Sequence, residues 1–249
     1  MGNKLDDGIL AIGMSATTCC PVVELRQYTL HPGARDTLID LFEREFIESQ
    51  EALGMRIIGT FRDLDNPDRF VWLRGFDDMD SRALQLQQFY RGPVWQEHRD
   101  AANATMIDSD DVLLLRPAAA SSGFNLTGLA RRTDGAGSAA AEIIAANIYH
   151  LPPGSEAGFV RFFYDTVAPT LTEHRFNIIG SFVTEHHPNT FPPLPVREDA
   201  NVFVCFTSTA DKTAAESVSD ALSSQLSDRI VGKPEAHLLE PTGRSLLRT

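Results

Sequence analysis

At 249 residues, with 43% hydrophobic and 22% charged residues, the chain has ordinary globular composition and a length that suits one large domain or two common ones. A formal net charge of −12 and a pI near 5.0 argue against nucleic acid, whose phosphates demand a basic surface, and against an anionic membrane surface. The three cysteines, Cys19, Cys20 and Cys205, give no disulfide framework, and a reducing, cytoplasmic setting is the simplest expectation.

No apolar run approaches the ~18 residues of a membrane helix, so no membrane insertion is expected. Residues 1–20 make a poor signal peptide, because Lys4 is offset by Asp6 and Asp7 and the apolar stretch is short and broken by glycines. Cys19-Cys20 reads as an exposed tail pair, and adjacent cysteines rarely join to each other.

Val22–Leu30 is rich in β-formers and ends at the turn His31-Pro32-Gly33. Leu38, Leu41, Phe42 and Phe46 then recur at helical spacing, which predicts an amphipathic helix over residues 34–52. Residues 55–64 read as a strand, Asp65-Asn66-Pro67-Asp68 as a hairpin turn and Arg69–Phe76 as its partner. Residues 80–89 and 94–104 are helical, interrupted at Arg91-Gly92-Pro93, and residues 110–116 close the unit as a strand. The order β-α-β-β-α-β is that of ferredoxin-like domains. Residues 118–142, rich in alanine, serine and glycine, read as a linker with Arg131-Arg132 as a solvated bend.

The same order then returns: a strand over 143–151, a helix over 155–173, strands over 175–185 and 201–207, a helix over 210–228 and a strand over 235–240. The loop 186–199 is longer than its counterpart, and an insertion of no consequence is favoured over a lid. The recurrence is visible in the residues. Tyr28-Thr29-Leu30-His31-Pro32-Gly33 returns as Tyr149-His150-Leu151-Pro152-Pro153-Gly154, and Ile57-Ile58-Gly59-Thr60-Phe61 as Ile178-Ile179-Gly180-Ser181-Phe182, both 121 residues on. Two tandem copies are therefore expected, domains 22–117 and 143–240, packed sheet to sheet as a pseudo-dimeric α+β barrel that covers the face each sheet leaves bare.

Val23-Glu24-Leu25-Arg26-Gln27-Tyr28 ahead of Pro32-Gly33, then Gly59-Thr60-Phe61, Trp72, Arg82 and Gly92-Pro93-Val94-Trp95, resemble the NIPSNAP family over residues 22–117. Residues 143–240 resemble it less, with Cys205 near the Trp72 position and no mate for Trp95. The resemblance implies the dimeric α+β barrel superfamily, which also holds cofactor-free monooxygenases, haem-degrading enzymes and small decarboxylases. It implies homodimers, and little about activity, since NIPSNAP proteins are tied to trafficking and signalling more than to an agreed reaction.

Side-chain alternation puts Glu24, Arg26 and Tyr28 on one face of the first strand. A functional reading makes this a polar cleft under the helices, with Arg26 holding an anionic group and Tyr28 donating a hydrogen bond. The plainer reading pairs Glu24 and Arg26 with neighbours and leaves Tyr28 as a core aromatic. Trp72 and Arg74 share a strand face, and Trp95 and His98 share a helix side. Together these residues could line a pocket for a small hydrophobic or carboxylate ligand. His98 is a weak candidate general base and Tyr28 a weak catalytic candidate; core packing is the alternative for all of them. His31 reads as a turn residue, and His186-His187 lacks the companions a metal needs. No metal or cofactor motif is present.

Three functions compete: a ligand- or protein-binding module, a cofactor-independent oxygenase or isomerase acting on a small hydrophobic or aromatic compound in the cleft of the first half, and a haem-handling protein with His98 as axial ligand. In the space bounded by Arg26, Tyr28, Trp72, Trp95 and His98, a cavity of roughly 300 Å³ or more with converging polar groups would favour the enzyme, and a closed region filled by side chains would favour the module.

Overall fold

The computed structural model describes residues 19–133, 143–209 and 225–248. Most of the helix expected over 210–228, and the end of the expected linker, lie outside those residues. The described strands are β1 (Val22–Leu30), β2 (Arg56–Asp63), β3 (Arg69–Phe76), β4 (Met106–Asp108), β5 (Val112–Pro117), β6 (Ile143–His150), β7 (Asn177–Thr184), β8 (Val202–Thr209) and β9 (Glu235–Pro241). Helices α1 (Arg35–Leu41) and α2 (Ile47–Glu51) are joined by a π-helical turn, Phe42–Phe46. Helices α3 (Met79–Arg91) and α4 (Pro93–Asn103) follow in the first half. In the second half α5 (Glu156–Phe162) and α6 (Ala168–Glu173) flank another π turn, Phe163–Val167.

The strands run β3-β2-β9-β6-β8-β7-β5-β1, and β1 pairs back onto β3, so eight antiparallel strands close a barrel. The short β4 adds to the end of β1. The two halves pack their inner faces into one shared core, where Val23 and Leu25 lie with Ile144, Ala146 and Phe206, as sheet-to-sheet packing implies. They join edge to edge, β2 to β9 and β5 to β7, because pairing satisfies edge N–H and C=O groups that stacking would leave open. Eight strands leave an interior just wide enough for side chains to fill. Val23, Leu25, Phe61, Leu73, Phe182 and Phe206 are among those that fill it.

Alternation along β1 sends Val23 and Leu25 into the barrel and Glu24, Arg26 and Tyr28 outward beneath the helices. Phe42, Phe46 and Ile47 from the first helical segment, with Leu86 and Phe89 from α3, cover that outer face. A smaller apolar cluster around Phe159, Phe163 and Phe203 does the same in the second half.

Several sequence expectations need correction. Cys19 and Cys20 join each other in a disulfide, and Cys20 is buried in the barrel core against Gly75, whose missing side chain leaves room for it. Residues 118–133 are more than a linker: Phe124 is buried in the barrel core against Phe182 and Phe206. Arg131 is no solvated bend, because it donates to the Glu51 carboxylate, the Ile57 carbonyl and the Arg244 carbonyl. The segment after β9 ties back to the first half, with Thr60 and Thr242 hydroxyls 2.6 Å apart and the Leu247 N–H on the Ile58 carbonyl.

Gly59 sits at an irregularity in β2, where a Cβ would lie 2.3 Å from the buried Phe61 ring. Gly59→Ala should therefore cost about 1–3 kcal/mol by overpacking, read from the urea midpoint. Gly158→Ala on the open face of α5, where no atom lies within 4 Å, should stabilise by about 0.5–1 kcal/mol.

Candidate functional site

The outer face of β1 and β3 carries a charged cluster closed off from water. The antiparallel register sets Glu24 opposite Arg74 and Arg26 opposite Trp72. Glu24 Oε2 accepts from Arg74 Nη2 at 2.6 Å, Arg74 Nε at 3.0 Å and Arg26 Nη1 at 3.0 Å. Its other oxygen, Oε1, accepts from Arg82 Nε at 2.7 Å. All four side chains are 0% exposed. Arg82 reaches the cluster from α3, whose inner stripe is Arg82, Leu86 and Phe89.

Burial opposes the Glu24 charge, yet the pull of Arg74, Arg26 and Arg82 outweighs it and holds the carboxyl well below the usual range. For Arg26, burial works against the charge, but Tyr28 and Glu24 outweigh it and the guanidinium is raised. Arg82 moves the other way, lowered by burial with Glu24 opposing. Three guanidiniums on one carboxylate leave an excess of two positive charges in the interior.

The carboxylate is fully used, so other acceptors take some of the remaining N–H groups. Arg26 Nε donates to the Tyr28 hydroxyl at 3.0 Å, and Arg74 Nη1 to Gln50 Oε1 at 2.7 Å. Arg82 Nη1 donates to Asn189 Oδ1 at 2.9 Å and Thr190 Oγ1 at 3.3 Å. Arg26 Nη2, Arg82 Nη2 and Trp72 Nε1 are buried with no hydrogen-bond partner among the described residues.

Next to the cluster lies a cavity of about 30 Å³, bounded by Tyr28, Gln50 and Trp72 on the polar side and by Phe46, Tyr90 and Trp95 on the apolar side. That is room for one or two waters. It is far below the ~300 Å³ of a small-molecule site. The 186–199 loop closes over this region. Phe191 stacks on Tyr90 with ring centroids 5.8 Å apart, and Leu194 packs into the same apolar cluster. The loop is thus a cover, not an inconsequential insertion.

Of the residues singled out from sequence, Arg26, Tyr28, Trp72 and Arg74 meet in one place. Trp95 stands half-buried at the cavity wall, 4.9 Å from Tyr90 by ring centroid. His98 does not join them; it lies at the rim with Nε2 3.5 Å from Glu45. Gln50, Arg82, Asn189 and Thr190 were not anticipated as site residues. Only Arg82 left a signal, as a cation on the apolar stripe of its helix. His186 and His187 sit beside Glu156 and Glu185, and no group of three or more potential metal ligands gathers among the described residues.

The second half lacks the charges at matching ladder positions. Asn147 opposite Cys205 stands where Arg26 opposes Trp72, and Ala145 opposite Thr207 where Glu24 opposes Arg74. Tyr149 remains, and burial raises both its phenol and the Cys205 thiol.

Glu24→Gln would strand three buried guanidiniums and should destabilise by about 3–5 kcal/mol. Because the folded-state carboxyl lies below its unfolded value of about 4.3, its contribution is complete above that pH and lost as pH falls toward the folded value. Urea midpoints through that acid range should fall more steeply for the native chain than for the variant.

The NIPSNAP family model matches residues 23–122. An uncharacterised NIPSNAP-like domain protein from Burkholderia xenovorans is 31% identical, with 39% of this chain and 84% of that one covered, at a TM-score of 0.36. Over nearly the whole chain the fold resembles an anthrone oxidase-like protein, at 10% identity, 94% and 98% coverage and a TM-score of 0.56. It also resembles a candidate monooxygenase from Lactobacillus acidophilus NCFM, at 10% identity, 92% and 99% coverage and a TM-score of 0.54. At such identity these two matches speak for the α+β barrel fold alone. No curated protein matches the chain. Through the domain that carries the buried arginine cluster, this chain belongs to the NIPSNAP family.

Proposed function

We propose that this protein is a small-ligand-binding module, built from two ferredoxin-like repeats in tandem, whose first repeat holds the site for an anion. The repeat reading rests on strand order: β5-β1-β3-β2 in one half and β9-β6-β8-β7 in the other follow the same plan. It also rests on features 121 residues apart, the π turns at Phe42–Phe46 and Phe163–Val167 and the left-handed turn glycines Gly33 (φ 77°) and Gly154 (φ 75°).

One observation carries the ligand reading: three buried guanidiniums share a single carboxylate. Burying an ion costs several kcal/mol even after relaxation, and an unbalanced pair of charges is a standing cost that a bound anion would relieve. The N–H groups of Arg26, Arg82 and Trp72 that have no partner among the described residues supply donors for it.

A second reading, a cofactor-independent oxygenase or isomerase acting on a hydrophobic aromatic compound, draws on the aromatic wall of Phe46, Phe89, Tyr90 and Trp95 and on the names of the fold neighbours. Tyr28 is the hydroxyl that would meet such a substrate. The small cavity speaks against it, since a tricyclic anthrone exceeds 30 Å³ many times over. A cytoplasmic homodimer completes the proposal on the strength of the acidic composition and of small sheets' need for cover, although the Cys19–Cys20 disulfide removes the redox argument for that compartment. Closure of the barrel within one chain already meets much of that need, so a dimer would use outer surfaces. Among the described residues no helix is long and apolar enough to cross a membrane.

Small carboxylates at 100 times their dissociation constant should add about 2.7 kcal/mol, or roughly 5–11 °C in melting temperature for a chain of this size. Arg82→Gln, with its fold checked by near-UV circular dichroism, should lose that shift. No shift with any small carboxylate would sink the anion reading, and oxygen uptake with a phenolic substrate would favour the second.

A further inference from the structure

The 186–199 loop is anchored at both feet on β5, by Glu185 N–H to the Leu114 carbonyl and Arg197 N–H to the Val112 carbonyl. Its tip crosses to the other half of the molecule. There Asn189 Oδ1 and Thr190 Oγ1 both accept from one nitrogen of Arg82, at 2.9 and 3.3 Å. Thr190 also donates to the Met79 carbonyl at the start of α3. Two neutral oxygens on one nitrogen of a buried guanidinium occupy the place a carboxylate would take, and Arg82 Nη2 has no partner among the described residues. A charged acceptor in that seat makes the stronger hydrogen bonds.

The small cavity next to the cluster, whose wall residue Tyr90 stacks on Phe191 of the loop, is bounded by aromatic and aliphatic side chains with Gln50, and no charged residue lines it among the described residues. A ligand that reaches from Arg82 into it therefore has one anionic end and one flat, apolar body. At about 30 Å³ the cavity admits nothing larger than one or two waters, so such a ligand enters only with the loop tip displaced. Phe191 leaving Tyr90 and Leu194 leaving the apolar cluster would supply the missing space.

Resting on the anion-site reading above, we infer that the 186–199 loop is a self-occupying gate: Asn189 and Thr190 hold the seat on Arg82 until an aromatic monocarboxylate displaces them. Binding and loop opening are then one event, and the loop's contacts with Arg82 weaken the ligand's apparent affinity by the cost of breaking them.

Benzoate is a suitable probe, with phenol as its uncharged counterpart. Trp72 and Trp95 are the chain's only tryptophans and both line the cavity, so their emission reports binding. The double variant Asn189→Ala with Thr190→Ala alters an outer loop and leaves the buried cluster intact. It should bind benzoate about tenfold more tightly than the native chain, because it no longer has to give up hydrogen bonds to a charged group. Benzoate, and not phenol, should also speed tryptic cleavage after Arg197 in the native chain. Native binding of benzoate with equal or weaker binding by the double variant would overturn the gate and leave the anion site standing. Failure of both proteins to bind benzoate would overturn the gate and, if no other small carboxylate binds, the anion site with it.

Discussion

One carboxylate facing three guanidiniums in a space closed to water is the constraint around which the first half is arranged. Glu24 uses both oxygens: Arg82 takes one, and Arg26 and Arg74 share the other. These partners come from three elements, β1, β3 and α3, so the ladder register and the seat of the helix on the sheet depend on each other. Neighbouring strands slipped by one residue would send the charges to the barrel interior, where Val23 and Leu25 now pack. Once the carboxylate is saturated, the other N–H groups must draw acceptors from further away. That is how Gln50 from α2 and the 186–199 loop from the far half come to serve the same site.

The two halves share a frame and differ in what they bury. In the second, the positions matching Glu24, Arg26, Trp72 and Arg74 hold Ala145, Asn147, Cys205 and Thr207, so the cost of internal charge is absent there. It packs instead as an aromatic core in which Phe163 lies 4.5 Å from Phe203 by ring centroid. Freed from the site, this half contributes a wall of the barrel, a cover for the cluster and, through the segment after β9, further ties to the first half. The buried contact of His237 Nδ1 with Asp63 Oδ2 at 2.9 Å is one more bond across the same seam.

The site was legible only where chemistry runs along a single element. Alternation placed Glu24, Arg26 and Tyr28 together, because a strand's period of two is a local property. Helical spacing likewise put Trp95 and His98 on one side, but spacing says nothing of depth, and packing left His98 at the rim beside Glu45. Asn189 and Thr190 stand over a hundred residues from Arg82 in a proline-rich loop with no periodic signal. Cys20 and Phe124 misled for a related reason: tails and linkers look dispensable until a barrel end needs filling.

The amino-acid sequence by itself determined the order of the described elements, the short β4 apart, the recurrence at 121 residues and the outward face of β1, since these follow from local periodicity and self-similarity. Only the tertiary structure decided that the sheets meet at their edges, that Arg82 joins Arg26 and Arg74 on one carboxylate, and that a loop from one half covers the other. Those are contacts between residues far apart in the chain. They are set by which surfaces and charges must leave water together, and no short stretch of sequence carries that information.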